Sequence, residues 1–411
     1  MCRSRRPLTL ASLLVLHGLA QGQTESEGAP DTELQAVEPA TGYDDGFFIR
    51  SADGDSEFRI GGLFQVVASY TPEREPASDF VVKRMRPELS GRFDALRFLL
   101  EPNFDEDGVE LEEAWLGTEL FRGQDLLMLG RMKVPFNLEE VRSRTYIDFP
   151  TFSIMNQFAP AEENGAFLYG ESPSGRWEYN AALYSASDGL DNVAARLMLH
   201  PFVESTDSRF LNLQLGVSAT LGSQEEAVGG DTIENEIGLP VIEFAPGVTL
   251  DGRQERIGAE VAWFHGPWFL QSEYMVVRQE MSSSSADGEV DFSGGYLTLS
   301  RTLTGEAKSF AGVSPDSPFD FRTGRGRGAY VLALRLSQLH IDEDAESLGF
   351  VVPATFTDRI RTVSLGLDWI ANRHVMVRTA WVQSFYADEV LLDGGSEDRE
   401  SALLVEFQLH F

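Results

Sequence analysis

Cysteine is almost missing. The chain of 411 residues holds one, Cys2. It falls in a stretch with the make-up of a signal peptide, expected over residues 1–20. Arg3, Arg5 and Arg6 form a basic start, Leu8 to Leu16 is apolar, and Gly18-Leu19-Ala20 fits a small-x-small cleavage pattern. The mature chain is then expected to carry no thiol, which excludes disulfide bracing, thiol catalysis and thiolate metal sites. No lipidation box precedes Cys2, which argues against a lipid anchor. Long apolar runs are missing too. The signal-like core is too short to cross a bilayer as a helix, and nothing later approaches the roughly 20 apolar residues that a spanning helix needs. Positive charge is scarce: 33 Lys and Arg face 65 Asp and Glu, for a formal net charge of -32. Such acidity argues against nucleic-acid partners, which require basic faces. None of the six His sits at metal-ligand spacing from another, and no Gly-rich phosphate loop occurs, so no metal or cofactor is expected. A hydrolase would need a Ser tied to His200 or His374, and no motif supplies one, so the chain does not read as an enzyme.

What is present is alternation. Residues 21–57 are polar, acidic and aperiodic, and are expected to be a flexible periplasmic lead-in; a small ordered cap is the alternative. From residue 58 to 411, segments of alternating apolar and polar residues are separated by Gly, Asp, Asn, Pro and Ser clusters. They fall at 58–71, 80–93, 95–104, 109–119, 125–134, 163–171, 175–186, 192–202, 209–221, 253–265, 267–280, 291–303, 327–341, 359–371, 374–386 and 400–411. No segment has a helical period. Sixteen alternating segments in a chain of mean hydropathy -0.18 with 11% aromatics fit an all-β, antiparallel transmembrane barrel. Composition alone also fits a soluble or surface β protein acting as a binder. Tight turns are expected at 105–108, 265–267 and 372–373. Long loops at 222–252, 281–290, 304–326, 342–358 and 387–399 are expected on the other rim. The last strand alternates Val405, Phe407, Leu409 and Phe411 with Glu406, Gln408 and His410. Its terminal aromatic resembles the signal read by the barrel assembly machinery of Gram-negative bacteria.

One stretch organises the rest, DLLMLGRMKVPFNLEEVRSRTYIDF at 125–149. It begins as a strand, with Leu127, Leu129, Arg131 and Lys133 on one face and Met128, Gly130, Met132 and Val134 on the other. Pro135 ends the strand. Leu138, Val141, Tyr146, Ile147 and Phe149 then need something to pack against. The expectation is a loop folded into the barrel that narrows the pore, with Arg142 and Arg144 facing the solute; an ordinary surface loop is the alternative.

Alternation also sorts the wall. The expected lumen cations are Arg59, Arg84, Arg86, Arg92, Arg97, Arg131, Lys133, Arg196, Arg256, Arg335 and Arg378. The expected lumen anions are Glu88, Glu101, Glu178, Glu260, Glu273, Asp368 and Glu406. The excess of guanidinium favours anions. The competing reading is that these Arg pair with wall carboxylates and only keep the lumen polar.

Four stretches resemble the phosphate-selective porin O and P family: KRMRPELSGRFDA (83–95) with EPNFDEDGVELEEAWLG (101–117); GRMKVPFNLEE (130–140); LQSEYMVVR (270–278), GGYLTLSRTLTGEAK (294–308) and GAYVLALRLSQLHID (328–342); and LGLDWIANRHVMVRTAWVQSF (365–385) with the last strand. The resemblance implies a sixteen-stranded barrel in the outer membrane, in contact with its lipid, a homotrimer, an inward third loop and passive diffusion of small anions such as phosphate or polyphosphate. The candidate anion-binding residues are Arg84, Arg86, Arg92, Arg97, Arg131, Lys133, Arg142 and Arg144. The sequence departs from it in two places. Ala161-Glu162-Glu163-Asn164-Gly165 puts acids after the loop, and Lys is scarce in the inward set. The alternative is a general or carbohydrate-type porin with weak ion selectivity.

Overall fold

The computed structural model describes residues 40–105, 108–120, 125–186, 189–205, 207, 209–393 and 395–411. The expected signal segment, 1–20, lies outside them. Sixteen strands follow one another as antiparallel neighbours. They are β1 Ser56–Tyr70, β2 Ser78–Phe93, β3 Leu96–Asp105, β4 Gly108–Leu120, β5 Asp125–Lys133, β6 Glu162–Glu171, β7 Trp177–Ser185 and β8 Asn192–Leu199. Then come β9 Asn212–Ala227, β10 Thr249–His265, β11 Trp268–Ser282, β12 Asp287–Thr302, β13 Ala329–Ile341, β14 Arg359–Ile370, β15 Val375–Leu392 and β16 Gly395–His410. β16 pairs with β1 from Leu403↔Tyr70 to His410↔Leu63, so the sheet closes and has no free long edge. At the seam Gly62 N donates to Phe411 O at 2.8 Å and Phe411 N donates to Gly62 O at 3.1 Å. Gly61 is needed here, because a Cβ on it would stand 2.8 Å from that carbonyl oxygen.

All sixteen expected segments are strands. β9, β10, β12, β15 and β16 run further past the expected loop-side ends than the others, because hairpins continue through Ser, Gly and acidic residues that read as loop.

The two faces separate as alternation demands. Leu334, Leu365 and Phe407 are exposed on the outer wall, while Arg335 and Arg378 are buried inside. β5 is an exception to the expected assignment. Met128 and Met132 are buried inward with Trp115, Phe167 and Tyr169, and Leu129 is 57% exposed. The face carrying Leu127, Leu129 and Arg131 is therefore the outer one. Both faces of β5 are rich in apolar residues, and its single Arg tipped the expectation the wrong way.

Of the expected lead-in, residues 21–39 lie outside the described set. Ala40–Tyr43 and Phe47–Arg50 form a hairpin whose second strand pairs with β1, from Phe47↔Ile60 to Arg50↔Glu57. β16 runs out opposite Leu63, and the hairpin covers the stretch of β1 edge left beyond it. Residues 40–50 thus extend the sheet, where a flexible segment was expected.

The rims are less regular than expected. One carries the start of β1, the end of β16 and the short connections 94–95, 172–176, 266–267 and 371–374. The long connection 303–328 also leaves from this terminal rim, not from the rim of 228–248 and 342–358. The connection at 105–108 lies on the opposite, loop rim; its residues 106 and 107 are outside the described set. Alternating loop length is an average tendency, and 303–328 breaks it because it folds back into the barrel.

Among the described residues, 134–161 and 228–248 from the loop rim and 303–328 from the terminal rim fold into the lumen, and 342–358 adds Ala345, Phe350 and Val351 to the packing at the loop rim. An apolar core forms around Phe136, Ile154, Met155, Ile233, Ile242, Met275, Phe292, Leu339 and Phe350. Part of the barrel interior is thus packed like an ordinary protein core.

Candidate functional site

The narrowing is built on the loop 134–161. After Pro135 the chain makes a short helix, Leu138–Val141, and two 3-10 turns, Arg144–Tyr146 and Ile154–Phe158. Glu273 on β11 holds the start of this helix, accepting from Leu138 N at 2.6 Å and Glu139 N at 2.7 Å, and Tyr296 OH donates to the same carboxylate at 2.5 Å. Arg335 on β13 ties two loops together. Its guanidinium is 3.2 Å from Glu139 and 2.8 Å from Glu236, and it donates to the Thr151 and Phe152 carbonyls. From the other rim, Lys308 Nζ reaches Asp148, and Phe310 packs beside Leu138 and Val141. Burial alone would raise the Asp148 carboxyl, but the Lys308 ammonium outweighs it and holds the group below its ordinary range.

Beside this loop the structure gathers part of the expected basic set. Arg84 is buried and points inward, and its Nη1 donates to Gln65 Oε1 at 2.9 Å. Among the described residues it forms no ion pair. Arg144 is 3.5 Å from Glu140 and lies 3.8 Å over the Phe152 ring. Lys133 Nζ donates to the Glu140 carbonyl at 2.7 Å and stands 3.6 Å from its carboxylate. Burial would raise the Glu140 carboxyl, but Arg144, Lys133, a hydrogen bond from Asn156 and Arg84 hold it down to about 2. Arg86 is bound to Glu112 and lies 3.6 Å from Glu101.

Two members of this cluster escape alternation. The register of β1 and β2 slips between Gln65↔Arg84 and Val66↔Val82, so Lys83 is the extra residue of a bulge. Its electrostatic neighbours are Arg84, Arg144, Glu234 and Glu406, which places it in the lumen, where it is exposed to solvent. A second bulge, where Glu101↔Glu113 is followed by Pro102↔Leu111, turns Glu112 toward Arg86. The sequence signal is doubled character: Val81-Val82 then Lys83-Arg84, and Glu112-Glu113, each break a period of two.

The remaining expected residues are not gathered. Arg92 donates to Gly54 O at 2.6 Å, and Arg97 pairs with Glu119, both toward the terminal rim. Arg131 donates to Leu111 O at 2.7 Å, and Glu110 is 3.9 Å away. Arg142 is 5% exposed, bound to Gln271 at 2.6 Å and capped by the Phe269 and Phe310 rings. It fastens the loop to the wall and does not face a solute, because its guanidinium is used up by these contacts.

The expected excess of wall cations is largely neutralised. Arg196 meets Glu260 at 2.6 Å, Arg378 pairs with Glu406, and Arg335 is shared by Glu139 and Glu236. The loops supply carboxylates that strand alternation could not count. Inward positions on β10 to β15 are mostly covered, whereas Arg59, Lys83, Glu88, Glu101 and Arg97 on β1 to β3 keep solvent contact. Water therefore has its route along β1 to β3, past Lys83. Among the described residues no cluster of metal-ligating side chains occurs.

The family model described as phosphate-selective porin O and P matches residues 58–411. No curated protein matches the chain. Among solved structures, OmpT, an outer membrane protein of Vibrio cholerae, superposes with a TM-score of 0.55 at 9% identity, over 87% of this chain and 98% of that one. An anion-selective porin from Comamonas acidovorans gives 0.54 at 11%, over 87% and 100%. OmpF of Salmonella typhi, in complex with daunomycin, gives 0.51 at 10%, over 90% and 100%. At such identities these likenesses speak for the barrel architecture.

Proposed function

Since the chain belongs to the phosphate-selective porin O and P family of outer-membrane porins, we propose that it lets small anions, phosphate or polyphosphate among them, diffuse passively past Lys83, Arg84 and Arg144. The observation that carries this reading is the state of Arg84. Arg86, Arg196, Arg335 and Arg378 on the wall are bound to carboxylates, but among the described residues Arg84 has one hydrogen-bond partner, the neutral Gln65, with Arg144 and Arg86 beside it. A cation left without a counter-charge in a narrow, low-dielectric passage attracts a passing anion. The proposed unit is a homotrimer inserted by the barrel assembly machinery, with residues 1–20 removed and no catalytic chemistry.

A second reading has its own support. Glu88 and Glu101 stand on the same route, and Glu113 and Glu162 lie beside Lys133, so a general or carbohydrate-type channel with weak ion preference competes. Reversal potentials across planar bilayers under a potassium chloride gradient separate the two. Anion preference, with phosphate blocking chloride current, supports the first reading. Equal permeabilities select the second, and cation preference removes the first.

A further inference from the structure

The outer wall of β13 to β16 carries a feature that conduction does not use. Register sets its outward residues in rows. Leu334, Leu365, Trp381 and Leu403 form one row, and all four are exposed. Toward the loop rim the next outward row is Leu336, Val363, Gln383 and Ser401, where apolar character fades. The row after that is Gln338, Arg361, Phe385 and Arg399. Each outward step along a strand tilted as in such barrels climbs about 5 Å. Arg361 and Arg399 therefore stand about 10 Å above the Leu365–Trp381 row, at headgroup level. Phe385 lies between them, one strand from each, so the two guanidinium-bearing positions are about 10 Å apart.

These Arg are free to act. Arg361 Nε donates to Gln338 Oε1 at 3.0 Å, and among the described residues Arg361 forms no ion pair. Among the described residues Arg399 meets only Asp398, at 4.0 Å. Outward Arg elsewhere near this rim are engaged: Arg278 is 3.1 Å from both Glu289 and Asp291, and Arg253 pairs with Glu255. A loop rim with hairpins extending beyond the apolar band is the exterior one. Two guanidinium forks flanking an exposed ring, directly above a band of Leu and Trp, suit a phosphate carried on acyl chains. Free phosphate would gain nothing from the apolar rows.

We propose that Arg361, Phe385 and Arg399 form a docking site for the phosphorylated headgroup of an outer-leaflet lipid, whose chains lie along Leu365 and Trp381. This rests on residence in the outer membrane and not on the anion preference, so reversal potentials should be the same with and without the site.

The test titrates the full-length protein in detergent with bis-phosphorylated lipid A and counts bound lipid by native mass spectrometry. Saturable binding is expected to weaken at least tenfold in the R361Q/R399Q double variant and to survive in R361K/R399K and in the control R278Q. Dephosphorylated lipid A should bind wild type as poorly as the phosphorylated form binds the double variant. Heat-modifiable migration verifies that each barrel is folded; if the double variant is not, R361Q and R399Q separately give the same readout. Equal binding by wild type and R361Q/R399Q overturns the proposal, as does equal binding of the two lipids or displacement by millimolar inorganic phosphate. Loss of oligomer with lipid binding unchanged would make the patch a subunit contact and overturn it likewise.

Discussion

Lys83 shows what one extra residue in a strand does. The bulge puts two basic side chains in succession on the lumen side, and only Lys83 keeps broad access to water. Replacing Lys83 by Ser should lower the anion-to-cation permeability ratio several-fold, read from reversal potentials, with heat-modifiable migration unchanged. Glu140 acts in the opposite sense, since it neutralises Arg144 and Lys133. Glu140→Gln should therefore raise anion preference. Its titration has a definite sign. The folded-state pKa, about 2, lies below the ordinary carboxylate value of 4.5, so the stabilisation is fully present above 4.5 and is lost as pH falls toward 2. The shift corresponds to roughly 3 kcal/mol at neutral pH. The Glu140 contribution to selectivity should change only in strong acid, and that acid step should vanish in Glu140→Gln. The lumen placement of Arg84 and Arg144 was legible in the sequence, because charge on a periodic strand and charge after a strand-ending Pro are local signals. Arg142 was misplaced, because its partners Gln271 and Phe310 lie more than a hundred residues away.

The constriction loop is an element held by partners outside itself. Glu273 caps the start of its helix, and Arg335 binds it to the loop 228–248 through Glu139 and Glu236. Removing one member of such a buried group strands the others without a counter-charge, at a cost of about 3–5 kcal/mol. Arg335→Ala should lower the unfolding midpoint in urea by a corresponding amount. It should also open 228–248 to protease and increase single-channel conductance as the loops loosen; unchanged conductance and proteolysis would show that the apolar core alone holds them. At this scale the sequence spoke clearly for the strands, whose period of two is imposed by lipid on one side. It spoke poorly for loop placement. An inward loop and an outward loop have similar composition, and only the packing of Phe310, Ile233 or Phe350 against the wall distinguishes them.

The whole barrel is a closed sheet with an eccentric interior, apolar and packed on one side and wet along β1 to β3. The chain's net charge of -32 says little about the passage, since a pore answers to the few groups at its narrowest section. The constriction loop beside it is clasped from both compartments, because Asp148 hangs from the loop rim and Lys308 reaches it from the terminal rim. Membrane voltage falls most steeply where a watery path is thinnest, and an elementary charge crossing the full field gains about 2.3 kcal/mol per 100 mV. One polarity therefore presses the ammonium and the carboxylate together, and the reverse polarity draws them apart. Single-channel traces should accordingly close at unequal thresholds for the two signs of applied potential, and Lys308→Met should make those thresholds alike. The sieve would then double as a rectifier, its preferred direction set by which compartment contributes which charge.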